Sequence, residues 1–222
     1  MRVSKVIASL ALSAFFFSAS SIPARAGVAE GRRAFEAKKC GQCHQSQGPA
    51  REKTIKDQLA KKGPELWYAG SKFKKEFLER WLSDPRPVRP LEYNSLTKKN
   101  PATHPKLAVA EAVDMAAYLM TLKSADVPDG IVAPRDNPKG RAIFIKKLSC
   151  YGCHEVTVRG NKAGGLSGPS LTGASKRLNP DWIYAYMTKP KIFKPVKDMP
   201  DYTGYISDAE MKDLSAYVGG LD

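Results

Sequence analysis

The chain has 222 residues, 42% of them hydrophobic and 26% charged, and its 36 Lys and Arg against 22 Asp and Glu give a formal net charge of +14. That length suits one or two domains, and no segment beyond the first 26 residues is long or apolar enough to cross a bilayer. A charge of this sign admits nucleic acid as a partner, acidic proteins, or simple solubility.

The first element decides among these. Arg2 and Lys5 form a basic start, Val6 to Phe17 is an apolar run broken only by Ser9 and Ser13, and Ala24-Arg25-Ala26 precedes Gly27 as an A-x-A cleavage site. Residues 1–26 therefore read as a secretory signal. The apolar run is short for a membrane anchor. Its removal takes away Arg2, Lys5 and Arg25 and no acid, lowering the charge from +14 to +11. An exported protein rarely meets nucleic acid, so the expected partner is an acidic periplasmic protein.

Gly31-Arg32-Arg33-Ala34-Phe35 then predicts a short helix with Gly and Phe one turn apart on one face. It leads into Cys40-Gly41-Gln42-Cys43-His44. C-x-x-C-H is the attachment signature of c-type haem: two thiols join the porphyrin and the histidine reaches the iron. Gly63-Pro64-Glu65-Leu66 follows, then a basic, proline-rich stretch from Pro85 to Asn94, then Thr103-His104-Pro105 and a helix expected over Lys106 to Leu122. Pro105 suits the first position of that helix. Lys123 to Pro138 reads as an interdomain connection, with Pro128, Gly130, Pro134 and Pro138 as breakers.

The series now repeats. Gly140-Arg141-Ala142-Ile143-Phe144 leads into Cys150-Tyr151-Gly152-Cys153-His154, and Gly168-Pro169-Ser170-Leu171 follows. Val156-Thr157-Val158 before Arg159-Gly160-Asn161 suggests a small hairpin. Met199-Pro200 lies in a loop after a helix around Trp182 to Thr188, and Ser207-Asp208-Ala209-Glu210 makes a capping box for a last helix over Asp208 to Gly219. The two motifs use all four cysteines and two of three histidines. A four-cysteine zinc site would leave both trailing histidines unexplained, and a thioredoxin-like pair lacks its βαβ surroundings. The expected domains are 27–124 and 138–222, joined by a linker at 125–137.

Taken together these motifs resemble tandem class I cytochromes c, dihaem proteins of the c4 type. The resemblance covers both lobes and implies an all-α fold of two class I cytochrome c-like domains, each wrapped around one covalent haem c. Cys40, Cys43, Cys150 and Cys153 would carry the haems, with His44 and His154 as iron ligands. It also implies that Gly31 and Phe35 pack near Tyr118, and Gly140 and Phe144 near Tyr217, where terminal helices cross. The carbonyls of Pro64 and Pro169 would hold the Nδ1–H of His44 and His154, orienting each ring. Met199 would be the distal ligand in lobe 2, with Met187 and Met211 as packing residues.

Lobe 1 departs from this pattern. With Pro85 and Pro190 as equivalents, Asn94 stands opposite Met199, and the Met-Pro of lobe 2 is matched by His104-Pro105. His104 is the expected distal ligand; Lys98, Lys99, Lys106, Tyr93, the helical Met115 and Met120, or an open iron are its rivals. A bis-histidine haem 1 would have the lower potential and a His/Met haem 2 the higher.

The reading that follows is a periplasmic electron carrier, or an electron-transfer subunit of a dehydrogenase or oxidase complex. The alternative is a haem enzyme, similar to thiosulfate dehydrogenases or dihaem peroxidases, with lobe 1 as active site. The first class typically uses a distal cysteine and the second a longer chain; neither feature is present. Lys38, Lys39, Lys146 and Lys147, the basic stretch Arg51 to Lys62 and the pair Trp67-Tyr68 are possible docking features.

Overall fold

The structure is a computed structural model and describes residues 26–196 and 199–222. The expected signal segment lies outside these, save that the first helix opens on Ala26.

Each lobe is built on a crossed pair of helices. In lobe 1, α1 (Ala26–Ala37) crosses α5 (Val109–Leu119), with α2 (Ile55–Ala60), α3 (Ala69–Lys72) and α4 (Lys75–Ser83) between them in sequence. In lobe 2, α6 (Pro138–Ala142) runs on through a π turn over Ile143–Lys147 and packs on α10 (Asp208–Gly219), with α7 (Ala174–Arg177), α8 (Pro180–Thr188) and α9 (Pro190–Phe193) between. Among the described residues the strands are β1 (Val156–Val158) and β2 (Asn161–Ala163), turned by Arg159 and Gly160, both at positive φ. The fold is the expected tandem all-α arrangement.

Glycine permits each crossing. A Cβ on Gly31 would stand 2.0 Å from the Asp114 carbonyl oxygen and 2.9 Å from Tyr118 Cβ; one on Gly140 would stand 2.2 Å from the Asp213 oxygen and 2.7 Å from Tyr217 Cβ. One turn on, Phe35 meets Tyr118 edge-on with centroids 5.5 Å apart, and Phe144 meets Tyr217 at 5.6 Å. Lobe 2 has one more residue between this phenylalanine and its first cysteine than lobe 1. The π turn absorbs it, as such bulges absorb single insertions. Both chains then enter their cysteine motif through a left-handed residue, Lys39 or Ser149.

Two expectations are corrected, the start of the last helix of lobe 1 and an outward role for Trp67-Tyr68, and the connection between the lobes proves to be held in place. The helix expected from Lys106 begins only at Val109, because the buried Leu107 gives its N–H to the Leu82 carbonyl at 3.0 Å and Ala108 stays extended. Pro105 therefore does not open it. The connection between lobes is not a loose tether: the Asp181 carboxylate accepts the N–H groups of Gly130, Ile131 and Val132 at 2.7–3.1 Å. Trp67 and Tyr68 are buried where the lobes meet, so they are not an outward docking feature.

That meeting surface, the seam, has approximate two-fold symmetry. The offset that carries Gly63 onto Gly168 also carries α3 onto α7, α4 onto α8 and Phe73 onto Leu178. Phe73 and Leu178 form an antiparallel bridge, flanked by Lys74 N–H to Arg177 O at 3.0 Å and its mate, Asn179 N–H to Lys72 O at 2.8 Å. Equivalent residues thus bond each other, as in an isologous dimer interface. Tyr68 stacks on Trp182, and Trp67 on Phe193, across the seam.

Because the atom facing Gly140 is a backbone carbonyl, Gly140→Ala is expected to destabilise the holoprotein by about 1–3 kcal/mol. Thermal unfolding followed by far-UV circular dichroism checks this; an unchanged midpoint would show that α6 and α10 can separate freely.

Candidate haem sites

The two cysteine motifs occupy matching 3-10 turns, Cys40–Gln42 and Cys150–Gly152. All four thiols are free; Cys43 and Cys153 are exposed and Cys40 and Cys150 partly buried. Burial raises the Cys40 thiol and pushes that of Cys150 up to about 11.

Each motif ends on a histidine whose ring is already oriented. His44 Nδ1 lies 2.7 Å from Pro64 O and His154 Nδ1 lies 2.8 Å from Pro169 O. A carbonyl can only accept, so Nδ1 carries the proton and Nε2 keeps its lone pair. Burial lowers the pKa of both rings, which favours the neutral form that a metal requires. The glycine before each proline is part of this arrangement. A Cβ on Gly63 would stand 2.7 Å from His44 Cε1, and one on Gly168 2.6 Å from His154 Cε1 and Nδ1. Gly-Pro therefore supplies both the space behind the ring and the acceptor in front of it.

His104 stands close to His44. Their ring centroids are 6.1 Å apart, and His104 packs on Trp81 at 4.7 Å. Trp81 is tied in turn by its indole N–H to Arg86 O at 2.7 Å. His104 Nδ1 donates to Pro105 O at 3.0 Å, which leaves its Nε2 available as well. Metal–imidazole bonds are about 2.0–2.1 Å and a centroid lies roughly 1.1 Å behind its nitrogen, so two rings trans on one metal place their centroids about 6.3 Å apart. The observed spacing is one at which His44 and His104 could together hold a metal ion.

Two of the rival donors have other occupations. Met115 is buried in the α5 core, and Tyr93 sits with Lys194 at the seam. Asn94, equivalent to Met199 by offset, is a strut: its Nδ2 donates to Gln58 O at 2.7 Å and Lys61 O at 3.1 Å, holding the end of α2. In lobe 2, Met187 and Met211 are buried packing residues, while Met199 is partly buried against the lobe core. Tyr202, three residues on, is close enough to Cys150 and Cys153 for their charges to act on its hydroxyl. Three buried donors, Trp67 Nε1, Trp182 Nε1 and Arg89 Nε, have no acceptor among the described residues. Such orphans need an oxygen-bearing partner, and haem carboxylates are one. Sequence reasoning missed Trp81 and Arg89; the offset between lobes was the available signal for Arg89.

The chain belongs to the cytochrome c family, whose model (Cytochrome c) matches residues 28–123 and again residues 138–222. Cytochrome c domains carry covalently attached haem c and serve haem-based electron transfer, and two such domains with paired cysteines at 40–43 and 150–153 fit two haems. No curated protein matches the chain. Among solved structures, a chain of the Kuenenia stuttgartiensis reducing HAO-like protein complex is similar at 19% identity and a TM-score of 0.31, over 85% of this chain and 94% of that one. A likeness of that size carries no weight for fold or function. Among the described residues no helix is long and apolar enough to cross a membrane.

Gly168→Ala is expected to push the His154 ring off Pro169 O. Disturbing the partner that orients a ligating histidine commonly costs about 10–100-fold in metal affinity or activity. Electron paramagnetic resonance of the oxidised holoprotein should then show one of two haem signals altered and the other intact; two intact signals would show that the ring tolerates the methyl group.

Proposed function

We propose that the protein is a periplasmic electron carrier holding two haems, with residues 1–26 removed on export and domains at 27–124 and 138–222 joined through 125–137. Haem 1 would be attached to Cys40 and Cys43 and held between His44 and His104. Haem 2 would be attached to Cys150 and Cys153 and held between His154 and Met199. When bound, haem supplies reversible one-electron chemistry at iron. The chain's own contribution is to present neutral imidazoles at set positions and to join the two lobes.

The observation that carries this reading is the 6.1 Å separation of His44 and His104. If His44 and His104 both held the iron, lobe 1 would leave a substrate no place on it, which favours a carrier over a peroxidase-like or thiosulfate dehydrogenase-like enzyme. Histidine in place of methionine lowers a haem's potential, so electrons would enter at haem 1 from a reduced partner and leave from haem 2 to an oxidised one. The partners would be acidic redox proteins or a dehydrogenase or oxidase complex, drawn by the net positive charge. Lys38 and Lys147 are less available for that contact than the sequence suggested, being paired with Glu111 at 3.0 Å and Glu210 at 2.6 Å.

His104→Ala is expected to turn one of two low-spin haems high-spin, and His104→Met to keep it low-spin at a raised potential. Near-infrared magnetic circular dichroism distinguishes bis-nitrogen from His/Met ligation. Two low-spin haems with unchanged ligation in His104→Ala would defeat the assignment, and a high-spin haem in the wild type would restore the enzyme.

A further inference from the structure

The segment that carries His104 is exposed from end to end: residues 101–106 all face solvent. Leu107 closes it, buried and bonded through its N–H to Leu82 O at 3.0 Å. Lobe 2 offers no equivalent of this length. α4 starts 105 residues before α8 (75 against 180), but α5 starts only 99 before α10 (109 against 208), so lobe 1 spends six more residues on the way to its last helix. Within the segment Ala102 has a left-handed backbone, with φ at 59°. Its Cβ makes that conformation unfavourable, and such a residue keeps it only where its surroundings hold it there.

Asn100 does the holding. Its Oδ1 accepts the Ala102 N–H at 3.0 Å. Its Nδ2 donates to Arg89 O at 3.1 Å, and its own N–H donates to Pro90 O at 2.9 Å. One amide therefore ties the histidine's segment to the proline-rich stretch. Aspartate in its place could not donate, and alanine could neither donate nor accept. The stretch that Asn100 grips is itself fixed, because Val88 O accepts the Ser170 N–H of lobe 2 at 2.9 Å. From another side the His104 ring rests on Trp81, whose indole N–H is held by Arg86 O. The hydrogen bond of His104 Nδ1 goes to Pro105 O, the next residue in the chain, and so anchors nothing.

We propose that Asn100 is a positioning residue for the distal ligand of haem 1, setting where His104 stands by gripping Ala102 with one end of its amide and Arg89 O with the other. The inference rests on the reading of His104 as that ligand. A side chain already held in place loses little freedom on binding iron. Released, the same imidazole gives way more readily to a ligand from solution. Asn100 acts through His104, and nothing in the argument asks it to touch the iron.

The test is cyanide binding to the oxidised full-length holoprotein, with the two haems distinguished by near-infrared magnetic circular dichroism. Asn100→Ala is expected to raise the affinity of haem 1 for cyanide about tenfold, the low end of what losing a residue that orients a ligand costs, with haem 2 unchanged. Asn100→Asp, which still accepts from Ala102, should show a smaller rise. Ala102→Val disfavours the left-handed backbone without removing Asn100; it should match Asn100→Ala, and it carries the test should that protein fail to fold. His104→Ala sets the ceiling. If His104→Ala binds cyanide more tightly at haem 1 while a folded Asn100→Ala or Ala102→Val protein binds it as the wild type does, the proposal is overturned. An equal gain at both haems overturns it too, since that reports general loosening. If His104→Ala itself leaves haem 1 unchanged, the ligand reading fails and takes the proposal with it, and the two failures are told apart.

Discussion

Each lobe is organised around one hydrogen bond, from the Nδ1–H of a histidine to the carbonyl of a proline that follows a glycine. The bond does three things at once. It selects the tautomer that leaves Nε2 free, it sets the plane of the ring, and it ties the cysteine turn to a loop 15 to 20 residues away. Glycine is required because a Cβ would overlap the imidazole, at 2.7 Å in lobe 1 and 2.6 Å in lobe 2. The crossed terminal helices then serve to deliver the cysteine turn to this loop. That is why their separation is set by a glycine packed on a carbonyl, and why lobe 2 takes up an additional residue in a π turn before the motif without disturbing either end.

The second level of organisation is the seam. Two copies of one sequence unit meet across approximate two-fold symmetry, with Phe73 bridged to Leu178 and each neighbouring N–H finding the mate of its own carbonyl. Backbone bonding at the centre and aromatic stacking around it make the lobes one body, which suits a protein proposed to pass electrons between two fixed centres. Side chains at the periphery of the seam have diverged while the backbone pairing has not. Glu52, Lys61 and Glu65 of lobe 1, for example, stand opposite Thr157, Leu166 and Ser170 in lobe 2.

Much of this was legible in the chain. The cysteine motifs, the Gly-Pro pairs and the Gly/Phe spacing are readable because each depends on a residue type that no other can replace at short range. The last helix was placed to the residue, since its capping box is a local signal. The start of α5 was misplaced because Leu107 is drawn into an extended contact with α4, a tertiary event that overrides local preference. In sequence Trp67 and Tyr68 read as pocket wall or as a docking pair, and the seam buries them. Four lysines looked alike before the motifs, and only the fold pairs Lys38 and Lys147 with acids more than 60 residues away.

By itself the sequence determined the family and the number of C-x-x-C-H motifs, because those are written in contiguous residues with fixed chemistry. It also narrowed the distal candidates by showing where methionine was missing. What the tertiary structure decided was the relation between distant residues: that the rings of His104 and His44 lie 6.1 Å apart, that Asn94 is a strut for α2, and that Arg89 lies against the other lobe's proline loop. These depend on how two lobes and their loops come together in space. No local pattern encodes a distance between residues that only packing brings within reach.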